Sequence, residues 1–427
     1  MTRIGIIGLG YVGLPLGVAF AGAGDDVLGV DIDPRKSEAI AAARSYIEDV
    51  SDESLAAATA SGHLTASTDA AGLRACQAVI ICLPTPIDEH RNPDLRPVIA
   101  GAETAAANLA AGALVVLEST TYPGTTREVI APILERGGRR VGSDVFLAFS
   151  PERVDPGNAT YGIRNTPKVV GGVTAECTRR AAELYGRICE KVHIVSSPES
   201  AELSKILENT FRAVNIALVN ELAILADRMG IDIWETIAAA STKPFGFMPF
   251  WPGPGLGGHC IPVDPFYLAW RARAYDFNTE FVELAGRVNV GMPYYAVSRI
   301  ARALNGDGRA LNGAKLLLLG MAYKGNVGDL RESPSLKLVE LLRADGAIVE
   351  YHDPHVSAVA SLGLSSVELD AERLAWADCV VIATHHRATD LGPVVAGARR
   401  VVDLRNAVRQ SLGGSPSGPI PANVDVL

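Results

Sequence analysis

The sequence predicts an α/β protein in which two parallel-sheet domains are joined by a central helical domain with a long spine helix. Three observations predict it. Strand and helix signals alternate through the N-terminal part, a long helical apolar beat follows, and the alternation then resumes with the same order of signals. At 427 residues the chain is too long for one core, given about 150 residues per domain. The pattern changes put boundaries at 1–196, 197–304 and 305–427.

Residues 4–8 read as a short buried strand, Gly8-Leu9-Gly10-Tyr11-Val12-Gly13 as the turn into a helix, and 27–31 as a second strand ending in Asp31. Further strands are read at 78–83, 114–118 and 145–149, and the alternation implies a parallel sheet with helices on both faces. Ser197-Pro198-Glu199 then looks like an N-cap, a first-position proline and a first-turn acid. Helical spacing of Leu203, Ile206, Leu207, Phe211, Val214, Leu218, Leu222 and Leu225 carries this helix to Met229, with Gly230 as its stop. These apolar positions exceed what one face needs, so the helix is expected to build a homodimer. More helix is expected from Trp234 and over 281–304. From Lys315 the N-terminal pattern repeats: 316–323 echoes 4–11, 347–353 echoes 26–31, 378–384 echoes 77–83, and 401–405 echoes 115–119. The repeat lacks the full glycine set, so a different ligand is expected there.

A lone GxGxxG is weak evidence. Here it follows a strand, opens a helix, and has an acid at the end of the next strand, which is the Rossmann-like arrangement for a dinucleotide. Gly8 permits the tight turn, Gly10 lets backbone approach a pyrophosphate, and Gly13 lets helix and strand pack closely. Asp31 can accept from both ribose hydroxyls and repel a 2′-phosphate, which favours NAD. Arg35 and Lys36 nearby leave NADP open.

Bulk properties exclude several classes. A net charge of −9 argues against nucleic acid and requires that an anionic substrate be met by a few local cations. Cysteines 76, 82, 177, 189, 260 and 379 form no CxxC or finger spacing, so no disulfide framework or zinc site is expected. Reduced thiols fit a cytoplasmic enzyme. Residues 4–24 form an uncharged apolar run that resembles a membrane span or signal peptide, but its glycines and Pro15 are better explained by the dinucleotide turn. His352, His355, His385 and His386 lack a supporting ligand set, so no metal is expected.

The stretch 245–264 reads as neither helix nor strand, and long ordered loops usually carry function. Within it Cys260 follows Gly257 and Gly258, which let a ligand approach, so it is the candidate nucleophile rather than a packed thiol. His259 is either a direct participant or a structural hydrogen-bonding residue. Lys205 and Asn209 share one face of the spine helix.

Together these residues resemble the UDP-glucose/GDP-mannose dehydrogenase family over nearly the whole chain. The resemblance rests on 118–126, Ser150-Pro151-Glu152-Arg153, Ala201-Glu202-Leu203-Ser204-Lys205 with Asn209, Gly257-Gly258-His259-Cys260 with Asp264, and 328–334. Residues 45–48, 83–87, 93–95, 154–158 and 245–254 are similar to the branch acting on UDP-N-acetylhexosamines. Trp251 stands where the UDP-glucose branch commonly has a lysine, Pro156 where it has a second glutamate, and Gly325 leaves Lys324 without a lysine neighbour.

The resemblance implies a four-electron oxidation of a sugar C6 alcohol to a carboxylate, with two NAD consumed and a thiohemiacetal and thioester on Cys260. UDP-N-acetylglucosamine is the expected substrate, with UDP-N-acetylmannosamine, UDP-N-acetylgalactosamine and UDP-glucose left open. Surface polysaccharide precursors are the expected product class. Lys205 and Asn209 are expected to stabilise the oxyanion, Thr120 and Asp264 to orient water, and Glu152 to act as base. Tyr11, Val12, Lys36, Thr85, Thr120 and Arg331 are expected to join Gly8, Gly10, Gly13 and Asp31 at the cofactor. Glu152, Lys205, Asn209, Gly257, Tyr323, Lys324 and Arg405 are expected at the sugar nucleotide. The rivals are a two-electron hydroxyacid dehydrogenase of the 6-phosphogluconate type, which needs no Cys260, and a non-catalytic NAD-sensing protein.

Overall fold

The apolar run after Thr2 forms β1 (Arg3–Ile7), and further short strands follow as β2 (Asp26–Val30), β3 (Leu64–Ser67), β4 (Ala78–Ile81), β5 (Leu114–Leu117) and β6 (Phe146–Phe149). β7 (Lys168–Gly172) and β8 (Val192–Ile194) complete an eight-stranded sheet of order β3-β2-β1-β4-β5-β6-β7-β8. The computed structural model describes residues 2–88, 92–155, 158, 160–258, 261, 263–413 and 416–427. Its contacts divide the chain into two units, Met1–Glu208 with Phe266–Asn278, and Asn209–Pro265 with Thr279–Leu427.

In the first unit, Ile4 and Ile6 pack with Leu14, Phe20 and Tyr185 on one side of the sheet. Ile7 packs with Val79, Ile81 and Leu134 on the other. Burial on both faces is what gives the strands their nearly unbroken apolar sequences. The sheet is parallel except where β6 meets β7, which pair antiparallel. The described residues between these two strands form no helix, and a parallel return needs a crossover long enough to span the sheet.

The second unit holds β9 (Lys315–Leu319), β10 (Ile348–His352), a small antiparallel ribbon of β11 (Ala358–Val359) and β12 (Leu364–Ser365), then β13 (Cys379–Ile382), β14 (Val401–Asp403) and β15 (Val424–Val426). Its main sheet is parallel throughout, in the order β10-β9-β13-β14-β15.

Between the two sheets the sequence is helical. The spine helix runs Pro198–Met229; the Ser197 hydroxyl accepts the Ser200 N–H at 3.2 Å, and Gly230 ends it with φ +69°. Helices Ile233–Ser241, Asp264–Ala272 and Glu280–Gly306 follow. The apolar run 4–24 is β1, the glycine turn and the helix Gly13–Gly22, and no helix among the described residues is long and apolar enough to cross a membrane.

Candidate active site

In an open α/β sheet, ligands meet the carboxyl ends of the strands. Five segments of the first unit reach that edge: the glycine turn after β1, Asp31 after β2, Thr85 beyond β4, Glu118–Thr120 after β5, and Glu152 beyond β6. Gly8 sits at φ +95°, and a Cβ there would lie 2.4 Å from the Cys82 carbonyl oxygen. A Cβ on Gly13 would lie 1.9 Å from the Gly8 carbonyl oxygen, whereas one on Gly10 would meet nothing within 4 Å. Two glycines are therefore dictated by packing, and Gly10 leaves backbone open to a ligand. This cradle fits a dinucleotide pyrophosphate at the N-terminus of the Gly13–Gly22 helix, beside Tyr11 and Val12.

Asp31 is buried. Its Oδ2 accepts the Leu9 N–H at 2.8 Å and Lys36 Nζ at 2.7 Å, and its Oδ1 accepts the Asp33 N–H at 3.0 Å. Arg35 is chelated by Asp33. Both cations that left NADP open are thus already held by carboxylates. Thr85 is buried, and its carbonyl accepts the Tyr267 hydroxyl at 2.5 Å.

Thr120 is half-buried at the end of β5. Its neighbour Thr121, not singled out from the sequence, is buried with a hydroxyl that has no partner among the described residues. The turn that follows is held by Glu202, whose carboxylate accepts the Gly124 N–H at 2.6 Å, the Thr126 N–H at 2.8 Å and the Thr126 hydroxyl at 2.6 Å. Burial pushes this carboxyl up to about 7. Three residues further along the helix, Lys205 is buried and makes no ion pair with a described carboxylate. Glu152 accepts the Arg153 and Val154 N–H groups at 2.7 and 2.6 Å and lies 3.2 Å from Lys168 Nζ. Burial pushes its carboxyl up, but Lys168 and those backbone donors outweigh burial and hold it below the usual carboxylate range.

The second unit brings Asn209 and Asp264 together: both are buried, and Asn209 Nδ2 donates to Asp264 Oδ2 at 2.6 Å. The Gly257–Gly258 turn packs against Tyr323, where a Cβ on either glycine would come within 2.5 and 2.9 Å of that side chain. Gly258 N–H donates to the Arg331 carbonyl at 3.0 Å. Further back in the loop, a Cβ on Gly253 would lie 2.5 Å from an Arg405 guanidinium nitrogen. The Gly253 N–H donates to Asn220 Oδ1 at 3.0 Å, Asn220 donates to Asn289 at 2.9 Å, and Asn289 donates to the Ala213 carbonyl at 3.1 Å. This buried amide chain ties the loop to two helices, and the sequence reading missed it.

Arg405 donates through Nε to the Ala383 carbonyl at 2.9 Å and makes no ion pair with a described carboxylate. Burial pushes its guanidinium down to about 10, so an arriving anion is favoured there. Arg331 is chelated by Asp329. Lys324 and Tyr323 are half-buried on the segment after β9. Cys260, His259 and Pro156 lie outside the described residues. The five described cysteines are buried free thiols. Among the histidines weighed as metal ligands, His386 bridges Asp353 Oδ2 at 3.1 Å and the Asn326 N–H at 3.0 Å, so both ring nitrogens are engaged within the protein.

Comparison with known proteins matches residues 2–189 to the NAD binding domain, 199–290 to the central domain and 317–410 to the UDP binding domain of the UDP-glucose/GDP-mannose dehydrogenase family. The chain is 39% identical over 358 residues to UDP-N-acetyl-D-glucosamine 6-dehydrogenase of Pseudomonas aeruginosa, covering 83% of each. It is 37% identical over 417 residues to UDP-N-acetyl-D-mannosamine dehydrogenase of Pyrococcus horikoshii, covering 96% of each. The solved structure of UDP-D-ManNAc dehydrogenase from Pyrococcus horikoshii superposes with a TM-score of 0.89 at 32% identity, covering 99% of this chain and 98% of that one. With the three domain matches in order and a dinucleotide cradle that suits NAD, the chain belongs to the UDP-glucose/GDP-mannose dehydrogenase family and is an NAD-dependent nucleotide-sugar dehydrogenase.

Proposed function

We propose that the protein oxidises the C6 alcohol of UDP-N-acetylglucosamine to the uronic acid through a thiohemiacetal and a thioester on Cys260. The observation that carries the chemistry is the buried 2.6 Å bond between Asn209 and Asp264. The choice of sugar is supported by the 39% identical relative, with Trp251 in place of a substrate-contacting lysine. A second reading, UDP-N-acetylmannosamine, is favoured by the relative that matches 96% of the chain.

Gly8, Gly10 and Gly13, with Tyr11 and Val12, hold the pyrophosphate, and Asp31 with Lys36 meets the ribose. Thr85, Thr120 and Arg331 complete the cofactor contacts. NAD held there would supply the hydride acceptor, and two NAD molecules would be consumed in turn, because alcohol to acid is a four-electron change.

Cys260 thiolate adds to the C6 aldehyde. Lys205 and Asn209 stabilise the oxyanion that forms. The two hydrogens on Asn209 Nδ2 divide the work: one bonds Asp264 and fixes the amide plane, and the other remains for substrate. Thr120 and Asp264 orient the hydrolytic water, and Glu152 accepts its proton as the thiolate leaves. Lys324 and Arg405 meet the anionic UDP, each contact contributing about 1.5–3 kcal/mol, with Tyr323 and Gly257 shaping the floor. The protein works in the cytoplasm as a homodimer, supplying surface polysaccharide precursors.

The test is a panel of UDP-N-acetylhexosamines, UDP-glucose and GDP-mannose with NADH and free aldehyde both measured. UDP-N-acetylglucosamine should give the highest kcat/KM, two NADH per sugar and almost no aldehyde. One NADH with released aldehyde sinks the covalent route, and a clear preference for the mannosamine epimer moves the substrate to the second reading.

A further inference from the structure

Three buried side chains of the first unit, Lys168, Glu118 and Tyr185, form a cluster with the partly exposed Glu152, and only Glu152 has been given a role above. Lys168 opens β7, and its Nζ lies 2.8 Å from Glu118 Oε2 and 3.2 Å from Glu152 Oε2. Glu118 is fully enclosed, and its other oxygen accepts the hydroxyl of Tyr185. The Tyr185 ring lies 5.0 Å from the ammonium. Glu152 differs from Glu118 in one respect that matters: its side chain is 19% exposed, against 0% for Glu118.

Two carboxylates share one ammonium, so the cluster carries an excess negative charge where charge is costly to bury. A proton relieves that excess. Glu118 is sealed by Lys168 and Tyr185, so Glu152 is the end of the cluster open to receive one.

We propose that Lys168, held between Glu118 and Glu152, is the positioning residue that keeps Glu152 an aimed anion, and that Glu118 competes for Lys168 so that Glu152 can still take up a proton during thioester hydrolysis. The inference rests on Glu152 being the base. In that step the water oxygen bonds the thioester carbon, its proton passes to the Glu152 carboxylate, and the C–S bond breaks to return the Cys260 thiolate and the free acid. No electrons are exchanged. The cluster then becomes neutral, with Lys168 and Glu118 left as a balanced pair. With Lys168 bound to Glu152 alone, the ion pair would resist protonation; with Glu118 drawing on the same ammonium, that resistance falls.

The two carboxyls show these opposing pulls. Burial raises both, but at Glu152 the Lys168 charge and two backbone donors reverse the sign, whereas Glu118 stays above the usual range. The other groups facing the cluster stay neutral at neutral pH: burial raises the Cys82 thiol and Tyr185 phenol, and raises Cys189 to about 11. Arg153 is engaged by Glu208 at 2.7 Å.

The experiment follows loss of the sugar adduct from Cys260 in a single turnover, by quenched intact-protein mass spectrometry across pH. Lys168→Met should move the acid limb of adduct hydrolysis to higher pH by about one unit, a tenfold loss of rate on the limb. Glu118→Gln should move it to lower pH, and Lys168→Arg should return it toward the wild-type position. A merely structural role slows the variants without moving the limb. Thermal unfolding checks that Lys168→Met folds; if it does not, Glu118→Gln and Lys168→Arg decide, and an unmoved limb in Glu118→Gln overturns the proposal. Limbs that stay put or move together, with Glu152→Gln blocked, overturn the role of Lys168 alone. Glu152→Gln draining its adduct at the wild-type rate removes the base itself, and the inference with it.

Discussion

Asp31 shows how one carboxylate is asked to do two jobs. It braces the glycine turn through the Leu9 N–H, and it neutralises Lys36. Asp31→Asn keeps one acceptor but loses the charge, so Lys36 is released. Wild type should prefer NAD over NADP by at least about tenfold in kcat/KM, roughly 1.4 kcal/mol, and Asp31→Asn should narrow that gap because a freed Lys36 can meet a 2′-phosphate. An unchanged ratio in the variant would show that Lys36 is not the determinant. Asp31 was legible in the sequence because its signal is local: a strand, three spaced glycines and an acid at the next strand's end. Lys168 was not, because its partners Glu118 and Glu152 lie 50 and 16 residues away. A lysine at the head of an apolar strand looks like an ordinary solvated end. Beside Thr120, Thr121 has a buried hydroxyl without a partner among the described residues, a feature that only the direction of the turn after β5 reveals.

The same contrast holds for elements. The spine helix announced both ends, since capping serine, first-turn proline and stop glycine act within a few residues. What the helix does for the rest of the unit was hidden. Glu202, one turn before Lys205, fastens the turn after β5 to this helix, so two candidate site elements share one carboxylate. That connection has a pH signature. Burial raises the Glu202 carboxyl from 4.5 to about 7, so the folded state binds this proton more tightly than the unfolded chain does. The stability it contributes is fully present below pH 4.5 and is lost as pH rises through about 7, in total about 3 kcal/mol. Glu202→Gln cannot titrate. In urea unfolding, wild type should therefore lose more stability than the variant between about pH 5 and pH 8. Parallel pH dependences for the two proteins would rule out Glu202 as the source. The antiparallel β7 was likewise unreadable, because strand direction depends on whether a crossover helix intervenes, not on strand composition.

At the scale of the whole chain, the repeat seen in the sequence is a repeat in structure. Gly320 has φ +88° and a Cβ there would lie 2.1 Å from the Thr384 carbonyl, as Gly8 does against Cys82. Asp353 ends β10 as Asp31 ends β2, but its oxygens are filled by the Met321, Ala322, His355 and Val356 N–H groups and by His386. Asp353 thus has five partners within the protein where Asp31 has three, so the repeated acid is held differently in the two sheets. The spine helix raises the remaining question of assembly. Leu203, Leu207, Phe211, Leu218, Leu222, Leu225 and Met229 are exposed along it at intervals of three, four or seven, a continuous apolar seam on one side. Lys205 and Asn209 on the same helix are buried instead, so the seam and the candidate site occupy different faces. A second copy of this helix is the partner that matches such a seam along its full length, because a two-fold axis pairs identical surfaces. Sedimentation of wild type at micromolar concentration should give a dimer. Leu218→Glu with Leu222→Glu should shift it to monomer by burying charge in the seam, while NAD binding, which uses the glycine turn, should survive. A wild-type monomer with full activity would dispose of the homodimer, and a dimer untouched by the double substitution would move the interface off this helix.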